Sequence, residues 1–178
     1  MCEAFGTRVI EKQRAPEMRA SSFVLDAMNI MPRDTFMHRY TTVWARRIYP
    51  CFEVGHGDAE DRWGQLVVCV HEHQHVVQYD RQGFAIYAAK YLASRRFRAL
   101  AEAEAYLTQL ELAYWRNDKM PDIDALADGL LAYGCRASDV RAARAVLQQG
   151  ADRLRDGERG LTRANRWALA WFDVHLTR

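Results

Sequence analysis

The 178-residue chain is 49% hydrophobic and 27% charged, with a formal net charge of +2. That composition suits one globular domain, or one with a small appendage, and argues against a dedicated nucleic-acid or membrane-surface protein. No apolar run approaches a membrane span, and residues 1–17 carry no apolar stretch of the signal-peptide kind, so a cytoplasmic location is expected.

Residues 16–30 read as a first helix that stops before Pro32. Residues 36–54, FMHRYTTVWARRIYPCFEV, are rich in β-branched and aromatic side chains and read as one or two short strands broken at Pro50. GHGDAED supplies a loop and a helix start, and residues 60–81 form the next helix. Gly83 interrupts it, and FAIYAAKYLASRR continues as another helix. RRFRALAEAEAYLTQLELAYWRN is a strong, alanine-rich one. Asp122 and Ser138 read as N-caps of two more, DIDALADGLLAY and SDVRAARAVLQQGADRLRDG. An amphipathic helix, TRANRWALAWFDVHLT, closes the chain. The expected fold is α+β, mainly α, with a small β element ahead of the helix at 60–81 and a helical C-terminal part. A single domain, 1–178, is expected, with its chemistry at about 36–116 and a helical extension at about 120–178.

The helix at 60–81 carries three of the six histidines within five residues, in VVCVHEHQHVVQYDR. His71, Glu72 and His75 fit H-E-x-x-H, a pattern that arises by chance in a chain this long on the order of one time in a hundred. On a helix, His71 and His75 lie one turn apart on one face, about 5–6 Å between Cβ atoms. Each imidazole can give one nitrogen to a zinc ion, and Glu72 can reach a water on that ion and take its proton. His73 falls on the opposite face, with Leu66, Cys69, Val70, Val76 and Val77, and reads as a hydrogen-bonded core histidine. Gln74 and Gln78 flank the metal face as outer donors or ordinary polar positions.

Two histidines do not complete a catalytic zinc site, which needs a third protein ligand and one position for water. The remaining histidines are His38, His56 and His175, and the candidate carboxylates are Glu102 and Glu104 in ALAEAEAYL. These two point roughly 200° apart on a helix, so only one can face the metal. Glu102 lies among Ala99, Ala101, Ala103, Ala105, Tyr106 and Leu112. A carboxylate in such surroundings needs compensation that a metal provides. Glu104 shares a face with Thr108 and Glu111 that reads as solvated, so Glu102 is preferred. Arg98, one turn before Glu102, and Tyr106, one turn after, are candidates to orient it or to bind substrate, with packing or surface placement as the competing reading.

H-E-x-x-H followed by a glutamate on a later helix resembles the gluzincin branch of zinc metallopeptidases. HEHQHVVQ followed by AEAEAY is similar to small bacterial and phage zincin-like proteins, which show HExxHxxQ and then E-x-E-A-Y or E-x-E-A-D. The similarity covers residues 40–116. It implies a minimal zincin-like metallopeptidase domain, Zn2+ as cofactor, His71, His75 and Glu102 as ligands, and Glu72 as general base. The chain departs from larger relatives in several respects. It has no N-E-x-x-x-D segment, no third histidine at metzincin spacing and no Met-turn. Tyr106 stands where many relatives carry Asp. TTVWARRIY, 41–49, is the only strand available to pair with an extended peptide.

The expected function is therefore a zinc-dependent peptidase acting on a peptide or protein substrate, with Tyr79, Tyr87, Tyr91 and Tyr106 as candidates to steady the oxyanion. The alternative is a catalytically inactive zincin-like module that is structural or binds a partner. A third reading makes H-E-x-x-H accidental in a helical DNA- or protein-binding domain. Its support is the C-terminal stretch 136–178, which holds nine arginines against five acids. That stretch reads more simply as a solvated helical surface. Trp167, Leu169, Trp171 and Phe172 read as packing, and His56 as a surface-loop residue. Cys2, Cys51, Cys69 and Cys135 match no paired spacing and suggest a reducing compartment.

Overall fold

A computed structural model describes residues 1–27 and 31–176. The chain is mostly helical with one small sheet, and it divides into two compact units, 1–68 and 69–178. Among the described residues no helix is long and apolar enough to cross a membrane.

The first unit opens with a one-turn helix α1 (Cys2–Phe5), a two-residue strand β1 (Arg8–Val9) and a 3-10 turn (Lys12–Arg14). None is long enough to show periodicity, and the sequence reading missed all three. Helix α2 (Pro16–Ala27) occupies most of the expected first helix; the remainder, 28–30, lies outside the described residues. Residues 36–39 were expected in a strand but belong to helix α3 (Arg33–Arg39). Pro32 precedes this helix, Asp34 sits in its first turn and His38 and Arg39 in its last, so the helix dipole is complemented at both ends. Phe36 and Met37 are buried with Ala15, Met18 and Tyr49, and this local advantage overrides the strand-like composition. Lys12 is fully buried, and its ammonium donates to Phe36 O (2.7 Å), Tyr40 O (2.6 Å) and Thr42 Oγ1 (2.9 Å). Two of those acceptors are carbonyls at the end of α3, where no further turn follows to bond them.

Strands β2 (Thr42–Trp44) and β3 (Arg47–Tyr49) form a hairpin that ends before Pro50. β3 is central, antiparallel to β2 and parallel to β1. The two turn residues, Ala45 and Arg46, have φ of 44° and 64°. A two-residue turn with positive φ at both positions matches the twist of the strands but is disfavoured for residues with a Cβ. Ala45→Asn should therefore stabilise the first unit by about 0.5–1 kcal/mol. Urea unfolding checks this, and an unchanged or lower midpoint would contradict the turn geometry.

Helix α4 (Ala59–Asp80) starts in the first unit and runs into the second. Its start is held reciprocally: Asp61 N–H donates to Asp58 Oδ1 (2.9 Å) and Asp58 N–H to Asp61 Oδ2 (3.1 Å). It ends where Gly83, at φ 88°, lets its N–H fold back onto Tyr79 O at 2.7 Å. Helix α5 (Phe84–Ala93) is shorter than expected, because Ser94 leaves the helical path and caps α6 (Arg95–Asn117) by accepting from Phe97 N–H (3.2 Å).

Asp122 caps α7 (Ile123–Asp128) as expected, but Gly129–Tyr133 tightens into a 3-10 turn. Helix α8 (Ala137–Arg155) begins one residue before Ser138, which is therefore not its cap. The Asp139 carboxylate accepts from Arg136 N–H (3.2 Å) instead. Helix α9 (Arg163–His175) follows Thr162, whose hydroxyl accepts from Asn165 N–H; the expected last residue, 177, lies outside the described residues. The second core is built on α6 and α8. Ala99, Ala103, Leu107 and Leu110 meet Val140, Ala143, Leu147 and Ala151, and a Cβ at Gly150 would stand 2.3 Å from Leu107. The small residues let the helices approach closely and so hold α6, with its glutamates, in place.

Candidate metal centre

The candidate residues His71, Glu72, His75 and Glu102 all lie in the second unit. Residues 70–79 of α4 are buried, so the polar side chains among them must find partners inside the protein. His73 is fully buried on the face away from the other two histidines. Its Nδ1 donates to Cys69 O (2.7 Å), and burial holds its pKa down at about 4, so it is a neutral core histidine.

His71 and His75 project on the other face, and their Nε2 atoms stand 3.2 Å apart. Helix α6 brings Glu102 against both. Oε2 lies 3.4 Å from His71 Nε2, and Oε1 lies 3.5 Å from His75 Nε2. One donor atom from each of the three residues falls within 4.8 Å of the others. Glu104 goes elsewhere, accepting from Gln74 Nε2 (2.7 Å) and Arg81 (2.7 Å). Its face is less solvated than expected. Thr108 is fully buried, and the buried Glu111 carboxylate accepts from the N–H groups of Gly160 and Leu161 and from Asn165.

The electrostatics of the cluster are mutually dependent. Burial alone would lower the pKa of His75, but the Glu102 carboxylate outweighs it and lifts it to about 9. Burial would raise Glu102, but the charge on His75 and the close approach of both imidazoles hold it well below the usual carboxylate range. The protein thus keeps a negative charge in its interior by facing it with imidazole nitrogens. Glu102 Oε2 is nonetheless buried without a well-formed hydrogen bond. Two imidazole nitrogens and an under-satisfied carboxylate oxygen fit a cation of the zinc kind.

Around these three, Gln78 orders one side. Its Oε1 faces His75 Nδ1 (2.8 Å) and accepts from Tyr87 OH (2.8 Å), while its Nε2 donates to Ala101 O (2.7 Å). With both ends of the amide assigned, the oxygen must face His75, so Nδ1 carries a proton and Nε2 is left to face Glu102. Tyr91 OH donates to Glu102 Oε1. The Tyr106 ring packs on His71, centroids 5.2 Å apart, and its hydroxyl is hydrogen-bonded to Tyr133. Tyr79 packs its ring on Phe84 and Tyr87. Glu72 is 6% exposed; Tyr87 is pushed well above the ordinary phenol range by burial first, then by the charges of Glu102 and Glu72.

Arg98 does not reach Glu102. Its guanidinium donates to three backbone carbonyls, Tyr91 O (2.9 Å), Leu92 O (3.0 Å) and Tyr133 O (2.7 Å). Gln74 ties α4 to α6 and α9, donating to Glu104 and accepting from Ala164 N–H (3.2 Å). His38, His56 and His175 have local partners: Asp34, Glu53 and Trp171 O. Four arginines of the C-terminal stretch, Arg144, Arg153, Arg155 and Arg159, are ion-paired to nearby acids.

Two residues of the centre escaped the sequence reading. Gln109 lies 3.1 Å from His71 Nδ1, and its position seven residues after Glu102 on one helix face could have revealed it. Tyr133 comes from a distant 3-10 turn, and no local pattern signals it.

No protein-family model, curated protein or solved structure matches the chain.

Proposed function

We propose that His71, His75 and Glu102 hold a zinc ion and that the chain is a zinc-dependent peptidase with Glu72 as general base. The observation that carries this reading is the convergence of two imidazoles and one carboxylate in a buried cluster, with another acid on the same helical turn. When bound, zinc supplies Lewis acidity toward a peptide carbonyl and acidifies water. Glu72 takes a proton from the attacking water and passes it to the leaving amine. Gln78 keeps His75 in the tautomer whose Nε2 can ligate. Ligation through His71 Nε2 leaves Nδ1 as an N–H, so the Gln109 amide presents its oxygen there, an orientation open to it by rotation.

A zinc-binding module without hydrolytic activity is the second reading. The observation that favours it is the near closure of the centre: side-chain exposure is 6% at His71, 11% at His75 and 3% at Glu102. The H-E-x-x-H glutamate favours the peptidase, since a structural site has no use for a general base. The first test is zinc content after purification under metal-limited conditions, followed by peptide-library cleavage. One zinc per chain with cleavage supports the peptidase, and one zinc without cleavage supports the module. Failure to hold or take up zinc overturns both.

Zinc uptake should also depend on pH in a defined direction. In the metal-free protein the His75 proton persists up to about 9. Ligation must expel it, so apparent affinity should rise with pH through neutrality and level off near pH 9, with proton release below that point. Competition against a chelator of known affinity measures this, and a flat profile between pH 7 and 9 would remove His75 from the ligand set.

A further inference from the structure

Resting on the metal reading above, we propose that Tyr91 is a positioning residue that restricts Glu102 to a single coordinating oxygen, Oε2. A free carboxylate can clasp a cation with both oxygens, which would fill a position that substrate or water needs. Here the two oxygens are unequal. Tyr91 OH donates to Oε1, whereas Oε2 is buried without a well-formed hydrogen bond and stands 3.4 Å from His71 Nε2. The oxygen left under-satisfied is the one that gains most from a cation.

The donor is fixed by its own surroundings. Tyr91 stacks on Tyr87, ring centroids 5.9 Å apart, and Tyr87 hydrogen-bonds Gln78 beside His75. The carbonyls of Tyr91 and the following Leu92 are held by Arg98, which projects from the same helix as Glu102. Arg98 therefore acts on the centre through the backbone of α5: it anchors the turn that presents the Tyr91 hydroxyl one helical turn from its own attachment to α6. An ordinary phenol keeps its proton through neutral pH, so the Tyr91 hydroxyl is available there as a donor. Its aromatic neighbours and the Arg98 anchor leave the ring little freedom to release Oε1.

The test uses the full-length protein and cobalt or zinc as the probe. Tyr91→Phe removes one oxygen and keeps the ring. The expected result is an affinity about 10–100-fold weaker than in the unaltered protein, the usual consequence of losing a partner of a metal ligand. The visible spectrum of the cobalt form should also change toward higher coordination as Glu102 engages both oxygens. A purely packing role for Tyr91 would alter thermal stability without that spectral change. Difference infrared spectroscopy of the unaltered protein gives a second readout that does not depend on the variant folding. Widely separated carboxylate stretches on zinc binding support single-oxygen ligation, and closely spaced ones overturn it. Unchanged affinity and spectrum in Tyr91→Phe also overturn the proposal. Absence of metal uptake by the unaltered protein instead removes the reading on which it rests.

Discussion

Glu72→Gln should keep one zinc per chain and lose peptide hydrolysis by about 10²–10⁴-fold, the range set by removal of a positioned general base. Gln has nearly the same volume as Glu, so the helix around residue 72 keeps its packing. Glu72 is one residue from His71 on α4 but is not one of the three converging donors, so zinc content should be unaffected. The measurement pairs elemental analysis with turnover of a peptide found by library cleavage. Zinc retained and turnover lost assigns the proton transfer to Glu72. Turnover retained would exclude it as the base, whatever the metal does. Loss of both zinc and turnover would place Glu72 among the groups that hold the cation. The variant also has a metal-free signature. The Glu72 charge contributes, after that of Glu102, to the raised proton affinity of His75, so Glu72→Gln should lower the His75 titration midpoint modestly.

The parts of the centre legible in sequence were those written on one helix at a time. His71 and His75 share a face because four residues make about one turn, and His73 faces the other way for the same reason. Glu102 was separable from Glu104 because small alanines around it mark a close helix approach; two of them, Ala99 and Ala103, lie in the core that α6 shares with α8, and Ala101 and Ala105 are buried as well. The solvated surroundings expected for Glu104 were misjudged. Thr108 and Glu111 are covered, and the partners that make this tolerable, the backbone N–H groups of Gly160 and Leu161, lie about 50 positions downstream. Arg98 stood open between orienting Glu102 and packing, and it takes a structural role whose details no pattern could give: its acceptors are carbonyls, which every residue has and no sequence pattern distinguishes. The same limit applied at 36–39, where aromatic and β-branched composition suggested a strand. The Pro32 start and a buried Phe36–Met37 pair favoured a helix. Periodicity and capping report local preference, whereas burial and partner choice depend on residues brought together by the chain's path.

Glu102→Gln and Glu104→Gln should behave in opposite ways, although the two residues are separated by a single alanine. Glu104→Gln removes an ion pair with Arg81 whose members are 31% and 57% exposed, so little stability should be lost and zinc affinity should hold. Glu102→Gln removes an anionic ligand, and the loss of affinity should exceed the roughly 100-fold that bounds outer-partner changes. That loss should itself depend on pH. In the unaltered protein the Glu102 charge keeps a proton on His75 up to about 9, and zinc must displace it. The variant lacks that competition, which at pH 7 amounts to two pH units, or about 100-fold. Part of the lost ligation is therefore masked at pH 7 and exposed at pH 9, so the affinity gap should widen as pH rises. A chelator-competition series at the two pH values measures it. A gap that narrowed with pH would mean that Glu102 does not set the His75 proton. A larger loss in Glu104→Gln than in Glu102→Gln would transfer the ligand role to the other glutamate.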